Sequence, residues 1–214
     1  AKNLDLNRDF IKCDAQNTKS LIQMIHRIQP HVFIDTHISN GADYSYNITL
    51  ITTQHNKLNP TLSSYLNNKM LPALQNEMRL KNNEMCPYVE TLKTTPDSGL
   101  VGFLETPRFA TGYTALFNII GFVTEAHMLK PYHLQVKATY DLLISMINTT
   151  NIQYKEIIEA KKKANEEVSR QIELFPLNWQ LDTSKFDLIE FKGYEAAYKK
   201  SNVTGLDRLY YNRS

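Results

Sequence analysis

The 214-residue chain has few cysteines, glycines and prolines, a small net charge and no long apolar run. It contains two cysteines, seven glycines and eight prolines, which excludes a disulfide framework, a zinc site built from cysteines and a disordered chain. Its 24 basic and 22 acidic residues leave a net charge of +2, which argues against nucleic-acid binding led by electrostatics. No apolar run approaches the roughly 18 residues that a membrane span requires. The composition, with 42% hydrophobic residues, favours a folded globular protein of one large domain, alone or with a small appendage.

Helical patterns alternate with short apolar segments over most of the sequence. Residues 14–29 have apolar side chains at helical spacing, and Pro30 ends this helix. Short segments typical of buried strands occur at 31–37, 47–53 and 119–125. We therefore predict an α/β fold over residues 1–174, with helices on both faces of a mostly parallel or mixed sheet.

Other segments complete this predicted architecture. A helix begins at Pro60, and Pro72 should kink it or split it in two. Residues 82–106 lack helical periodicity, which predicts a long loop with short strands. Residues 175–214 partly alternate apolar with polar side chains, which predicts a small strand-rich appendage at the C-terminus. Two further helices are predicted at 131–148 and 151–172.

Two of the predicted strands end in ionisable side chains. One ends at Asp35 and His37, and another ends at Glu125, with His127 two residues further on. Ligand sites in open α/β sheets form at the carboxyl ends of strands, so these groups can meet in one cleft. A histidine and a glutamate there can serve as a metal ligand and a general base, although a histidine at a strand end is more often structural.

Three motifs follow one another along the chain: Asn7-Arg8-Asp9-Phe10, Phe33-Ile-Asp-Thr-His37 and Thr124-Glu-Ala-His-Met-Leu-Lys-Pro131. Together they resemble the zinc carboxypeptidases (the M14 metallopeptidases), particularly their divergent bacterial members. The resemblance runs from Asn3 to about Tyr132, and the strand-rich tail is similar to an extension in that bacterial subgroup. It implies that the chain has part of a zinc-carboxypeptidase-like fold.

The resemblance also implies a role for each matching residue. His37 would be a zinc ligand, and Arg8, with Asn7 beside it, would bind the free C-terminal carboxylate of a peptide. Glu125 would be the general base that takes a proton from zinc-bound water, whose pKa the metal lowers to about 7. The implied activity is hydrolysis of the C-terminal amide bond of a peptide, and the family habit implies an extracellular or periplasmic location.

The sequence departs from the family pattern at its beginning. The family's first two zinc ligands lie in a His-x-x-Glu motif before the Asn-Arg pair, and none of the six histidines here has a glutamate at the third following position. Because a zinc site needs three or four protein ligands, we expect this chain to be a fragment of a longer enzyme and to be inactive as given. Loss of the family's first strands would also expose a sheet edge, which predicts self-association along that edge.

Two other functions remain open from the sequence. One is a non-catalytic module that binds the carboxylate of a peptide through Arg8 on the same scaffold. The other is an amidohydrolase of N-acyl amino acids, because these substrates also carry a free carboxylate. A purely structural domain would not bring Arg8, His37 and Glu125 to one cleft, so their positions decide whether any of these functions stands.

Three further residues have no firm role in the sequence pattern. Asp35 is expected to orient a neighbouring group, and His127 is expected to be structural. Tyr113 is either the tyrosine that closes over substrate in the family or part of helix packing.

Overall fold

The computed structural model describes residues 4–170 and 176–213. Within these residues, no helix is both long enough and apolar enough to cross a membrane. In chain order, the helices and strands are α1 (Gln16–Ile28), β1 (Val32–Ser39), β2 (Ile48–Thr52), α2 (Pro60–Tyr65), α3 (Leu71–Leu80), β3 (Cys86–Pro87), β4 (Glu90–Thr91), β5 (Leu100–Val101), α4 (Ala110–Ala115), β6 (Ile120–His127), α5 (Tyr132–Arg170), β7 (Glu195–Lys200) and β8 (Asp207–Asn212).

A mixed four-stranded sheet lies at the centre of the fold, with the strand order β1-β6-β2-β3. β1 is parallel to β6, and β2 is antiparallel to β6 but parallel to β3. β7 and β8 form a separate antiparallel pair in the C-terminal part. The prediction of an α/β fold with a mostly parallel or mixed sheet and a C-terminal segment that contains strands is therefore confirmed, whereas similarity to the zinc carboxypeptidases stays a prediction.

Helices cover both faces of the sheet, as predicted. The larger core lies between the sheet and α2, α3 and α5, and it includes Leu66, Leu74, Phe122, Leu142 and Met146. The smaller core lies between the other face and α1 and α4, and it includes Phe10, Ile25, Ala110, Tyr113 and Ile119. Because both of its faces are covered, β6 is buried along its whole length, which agrees with its nearly continuous apolar sequence.

One helix, α5, occupies the region where two helices were predicted, so that prediction is wrong. α5 has 39 residues, and its buried residues include Met146, Thr149 and Ile157 on both sides of the predicted break. The segment 148–151 contains neither glycine nor proline, so nothing local ends the helix while its inner face stays against the core. The last residues of the second predicted helix, and the predicted boundary between 174 and 175, lie outside the described residues.

The interruption predicted near Pro72 takes the form of a wide helical turn. The segment Leu66–Met70 is π-helical and joins α2 directly to α3. Proline has no N–H to donate to the carbonyl four residues earlier, which here belongs to Asn68 in the wide turn. The buried side chains of Leu66, Met70 and Leu74 nevertheless share one core, so the interruption does not remove this region from the packing.

Candidate functional site

A cavity of about 240 Å³ opens at the carboxyl ends of β1 and β6. The residues around it include Asn7, Arg8, His37 and Glu125. The structure therefore brings together all four residues that the sequence proposed for the site. Sites for drug-sized ligands have volumes of roughly 300–1,000 Å³, so this smaller cavity suits one end of a molecule better than a long segment.

The pairing of β1 with β6 places His37 beside Glu125. The two residues are direct partners in the parallel register, so their side chains leave the same face of the sheet. The Nδ1 atom of His37 lies 3.6 Å from Oε1 of Glu125. Glu125 is 8% exposed, so this carboxylate is largely shielded from bulk water.

Asp35 orients the His37 imidazole from its other side. Residues two apart on a strand share a face, and Oδ2 of Asp35 lies 2.9 Å from Nε2 of His37. Because Nε2 is directed at Asp35, Nδ1 is the ring nitrogen that faces Glu125. Asp35 thus has the orienting position that was expected for it.

The two carboxylates also set the charge of His37. Hydrogen bonds to Asp35 and then to Glu125 raise the pKa of His37 to about 10, although partial burial acts in the opposite direction. The imidazole is therefore protonated at neutral pH. A metal ion at Nδ1 would have to displace that proton, because a histidine ligand must be deprotonated.

Arg8 contributes to the cavity from a short 3-10 helical turn, Leu6–Arg8, near the N-terminus. Its guanidinium carbon lies 4.3 Å from the centre of the Phe109 ring, and its Nη1 donates a hydrogen bond of 2.8 Å to the backbone oxygen of Asn7. The Asp5 carboxylate is 3.9 Å from the same nitrogen, and the Arg8 side chain is 43% exposed. Stacking on Phe109 restricts the guanidinium plane, and the exposed part of the fork can meet a carboxylate.

Two polar side chains hold the Arg8 segment in place. Oδ1 of Asn7 accepts a 3.1 Å hydrogen bond from the backbone N–H of Ala110, the first residue of α4. The buried Asp9 carboxylate accepts hydrogen bonds of 2.9 Å from the backbone N–H groups of Asp14 and Ala15, directly before α1. Unpaired N–H groups at helix starts need such acceptors, so both contacts fix the segment. The Asn7 amide group is then the part of that side chain that can donate to a ligand.

Tyr88, which no sequence motif indicated, lies in the cavity lining, whereas Tyr113 does not. Tyr113 is buried in α4, and its hydroxyl is 2.9 Å from Nε2 of His26, so its role is helix packing. Burial raises the pKa of Tyr88, and the charge of Glu125 raises it further. A tyrosine within the long irregular segment was visible in the sequence, but its spacing gave no sign of which residues it meets.

His127 is a structural residue, as expected. It is fully buried, and its Nε2 is 2.9 Å from the backbone oxygen of Ala42. Its ring lies against Tyr44 with a centroid separation of 4.3 Å. Burial lowers the pKa of His127, which favours the neutral imidazole.

The part of the chain that the structure describes does not supply a complete zinc site. Within residues 4–170 and 176–213, no three histidine, cysteine, aspartate or glutamate side chains are grouped so that they could hold a metal ion. His37 and Glu125 offer two neighbouring donors, whereas catalytic zinc takes three protein ligands. The described residues therefore do not fit zinc by themselves.

Comparison of the chain with protein-family models, with curated proteins and with solved structures gave no match. Membership of the zinc carboxypeptidase family therefore stays a prediction from the sequence motifs.

Proposed function

We propose that the cavity binds the C-terminal end of a peptide and that the chain is part of a metallocarboxypeptidase-type hydrolase. The supporting observation is that the Arg8 guanidinium, the His37 imidazole and the Glu125 carboxylate surround one cavity of about 240 Å³. In this proposal Arg8 binds the terminal carboxylate with help from Asn7, and Glu125 is the general base.

The charges around the cavity favour a ligand with distinct ends. Arg8 attracts an anion, and a guanidinium fork donates two parallel hydrogen bonds to a carboxylate. Glu125 instead repels a second anion but can accept a hydrogen bond from an amide or amine nitrogen. A peptide end satisfies both demands, since its free carboxylate lies within a few bonds of its last amide N–H.

The position of Glu125 also suits proton transfer during amide hydrolysis. As the oxygen of a water molecule forms a bond to the amide carbon, Glu125 takes a proton from that water and passes it to the leaving nitrogen as the C–N bond breaks. Zinc would supply the acidification of the water and the polarisation of the carbonyl, but it would need ligands beyond His37. This chain alone is therefore expected to bind peptides without hydrolysing them.

The test of this proposal is calorimetric binding of one tripeptide in two forms, with a free C-terminal carboxylate and with a C-terminal amide. Loss of two charge-assisted hydrogen bonds should weaken binding of the amide by about 10- to 100-fold. An N-acetyl amino acid in the same assay addresses the amidohydrolase alternative, which requires it to bind at least as well as the tripeptide. Equal binding of acid and amide, or no binding of either, would contradict the proposal.

A non-catalytic peptide-binding module is the second candidate, and the incomplete zinc donor set favours it. Both candidates require the carboxylate at Arg8, so the binding experiment does not separate them. A His-x-x-Glu motif encoded upstream of residue 1 would favour the hydrolase, and its absence there would favour the module.

We also propose that the open edge of β1 pairs with a second copy of the chain. β1 has eight residues, and among the described strands only β6 pairs with it. The unpaired N–H and C=O groups of a long edge strand are a template for pairing. In light scattering at high concentration, we expect a mass above the 24.7 kDa of one chain.

A substitution at the centre of this edge provides the matched test. Lysine at an edge opposes strand pairing, so Thr36→Lys, at an exposed position of β1, should lower the scattered mass towards that of one chain. Asn202→Lys adds the same charge at an exposed turn position and should leave the mass unchanged. A scattered mass of 24.7 kDa for the unmodified chain, equal to that of one copy, would contradict the proposed pairing along β1.

A further inference from the structure

Asp43 is a fully buried carboxylate with basic side chains on two sides. Its Oδ1 lies 3.2 Å from Nζ of Lys130, and its Oδ2 lies 2.7 Å from Nε of Arg213. Oδ1 also accepts a 2.9 Å hydrogen bond from the backbone N–H of Tyr44. Removing one partner from a buried ion pair leaves an uncompensated charge, so these contacts strongly favour a single position of Asp43.

Asp43 ends a turn that lies beside the cavity, and we name residues 40–43 the rim turn. Ser39 and Asn40 are in the cavity lining, two and three residues after His37. Gly41 has a φ of +94°, a left-handed conformation that glycine adopts without strain. The rim turn therefore starts at the cavity and ends at the buried ion pairs of Asp43.

Lys130 connects the rim turn with the strand that carries Glu125. Lys130 follows β6 in the chain, and its Nζ donates to the backbone oxygen of Tyr44 as well as pairing with Asp43. The backbone oxygen of Ser39 accepts a 3.0 Å hydrogen bond from the N–H of Met128. The ends of β1 and β6, the two strands that carry the site, are thus tied together around Asp43.

Arg213 connects the C-terminal strand pair, β7 and β8, with Asp43. It directly follows β8, and its side chain is 56% exposed although its Nε contacts the buried Asp43. It lies outside the cavity lining, so it does not contact a ligand in the cavity itself. Its contact with Asp43 joins positions 170 residues apart in the sequence.

From this geometry we infer that Arg213 is a positioning residue, which holds the rim turn through Asp43 and thereby sets the shape of the cavity beside His37. The inference rests on the proposed function, because the effect on ligand binding presumes that the cavity binds a peptide end. It gives the C-terminal strand pair a role at a site that lies in the main body of the chain.

The test uses the variants Arg213→Gln and Arg213→Lys. Glutamine removes the charge that meets Oδ2 of Asp43 but leaves Lys130 in place. We expect Arg213→Gln to raise the Kd of the free-acid tripeptide by about 3- to 30-fold and to shift the amide NMR signals of Asn40, Gly41 and Ala42. Arg213→Lys, which can still pair with Asp43, should recover most of the affinity, and thermal unfolding will show whether each variant folds.

Lys192→Gln is the matched control. Lys192 lies in the same C-terminal part, and its side chain pairs with that of Glu84, both about half exposed. Its backbone oxygen accepts hydrogen bonds from Ser45, two residues after the rim turn, and the substitution leaves this backbone contact in place while it removes the side-chain charge. This variant should leave the Kd and the rim-turn signals unchanged. The inference alone would be overturned if the rim-turn signals did not move in Arg213→Gln, or if Lys192→Gln raised the Kd as much as Arg213→Gln does. It would also be overturned if the Kd of Arg213→Gln were unchanged while the unmodified chain showed carboxylate-dependent binding. An unmodified chain that binds no free-acid peptide would overturn the proposed function and, with it, the role of Arg213 in binding.

Discussion

Replacing Arg8 by lysine is expected to weaken binding of the free-acid tripeptide by about 10-fold, and replacing it by glutamine by about 100-fold. The guanidinium stacks on Phe109 and can present two parallel donors to a carboxylate. The lysine ammonium is a single charged point without the fork geometry, and glutamine has no charge. Titration calorimetry with the acid and the amide of the same tripeptide measures both effects.

The tripeptide amide serves as an internal control, because the binding of this amide should change little in either Arg8 variant. Arg79→Lys is the control in the protein: Arg79 is an exposed residue near the end of α3 that contacts Asn76 and is not in the cavity lining. If Arg8→Gln bound the free acid as tightly as the unmodified chain, Arg8 would have no part in carboxylate recognition.

Replacing Asp43 by asparagine is expected to lower the free energy of unfolding by about 3–5 kcal/mol. Asparagine keeps a similar shape, and its oxygen can still accept the hydrogen bond from the N–H of Tyr44, but its NH2 group replaces the oxygen that accepts from Arg213. Lys130 would then be a nearly buried cation without a carboxylate, because its side chain is only 9% exposed. Arg213 can turn towards solvent, which limits its share of the loss. Urea denaturation monitored by circular dichroism measures the difference.

Asp207→Asn is the control for this prediction. Asp207 pairs with Lys200 at 2.9 Å, but the two side chains are 60% and 72% exposed. Exposed pairs contribute only about 0–1 kcal/mol, so the free energy of unfolding should stay almost unchanged. A loss below about 1 kcal/mol in Asp43→Asn would mean that solvent compensates Lys130, contrary to the burial seen here.

The central strands and the residues at their ends were predictable from the sequence, for one physical reason. A strand covered by helices on both faces is a nearly continuous apolar run, so polar groups stand out where it ends. His37 and Glu125 were selected in this way, and the parallel register places them side by side. Arg8 came from the family motifs alone, since the pattern around it contains no strand or long helix.

The contacts that depend on distant segments were not predictable. Asn7 caps α4, which lies about a hundred residues later in the chain, and Tyr88 meets the cavity from an irregular segment. The ion pairs of Asp43 join three separate parts of the sequence. Hydrophobic periodicity reports only which side of an element is buried, so it carries no information about which side chains meet across the fold. The continuous helix α5 was missed because a polar stretch at 148–151 resembles a loop locally, whereas tertiary packing decides its structure.

The parallel pairing of β1 with β6 limits how the cavity can change its shape. Backbone hydrogen bonds keep adjacent strands roughly 4.8 Å apart, so the wall formed by His37 and Glu125 has a fixed width. A second wall, formed by Arg8 and Phe109, comes from segments outside this sheet, whereas Tyr88 is held to the sheet because its backbone N–H donates to the backbone oxygen of Leu50 in β2. Ligands of different lengths must therefore be accommodated by movement of the second wall against a rigid first one.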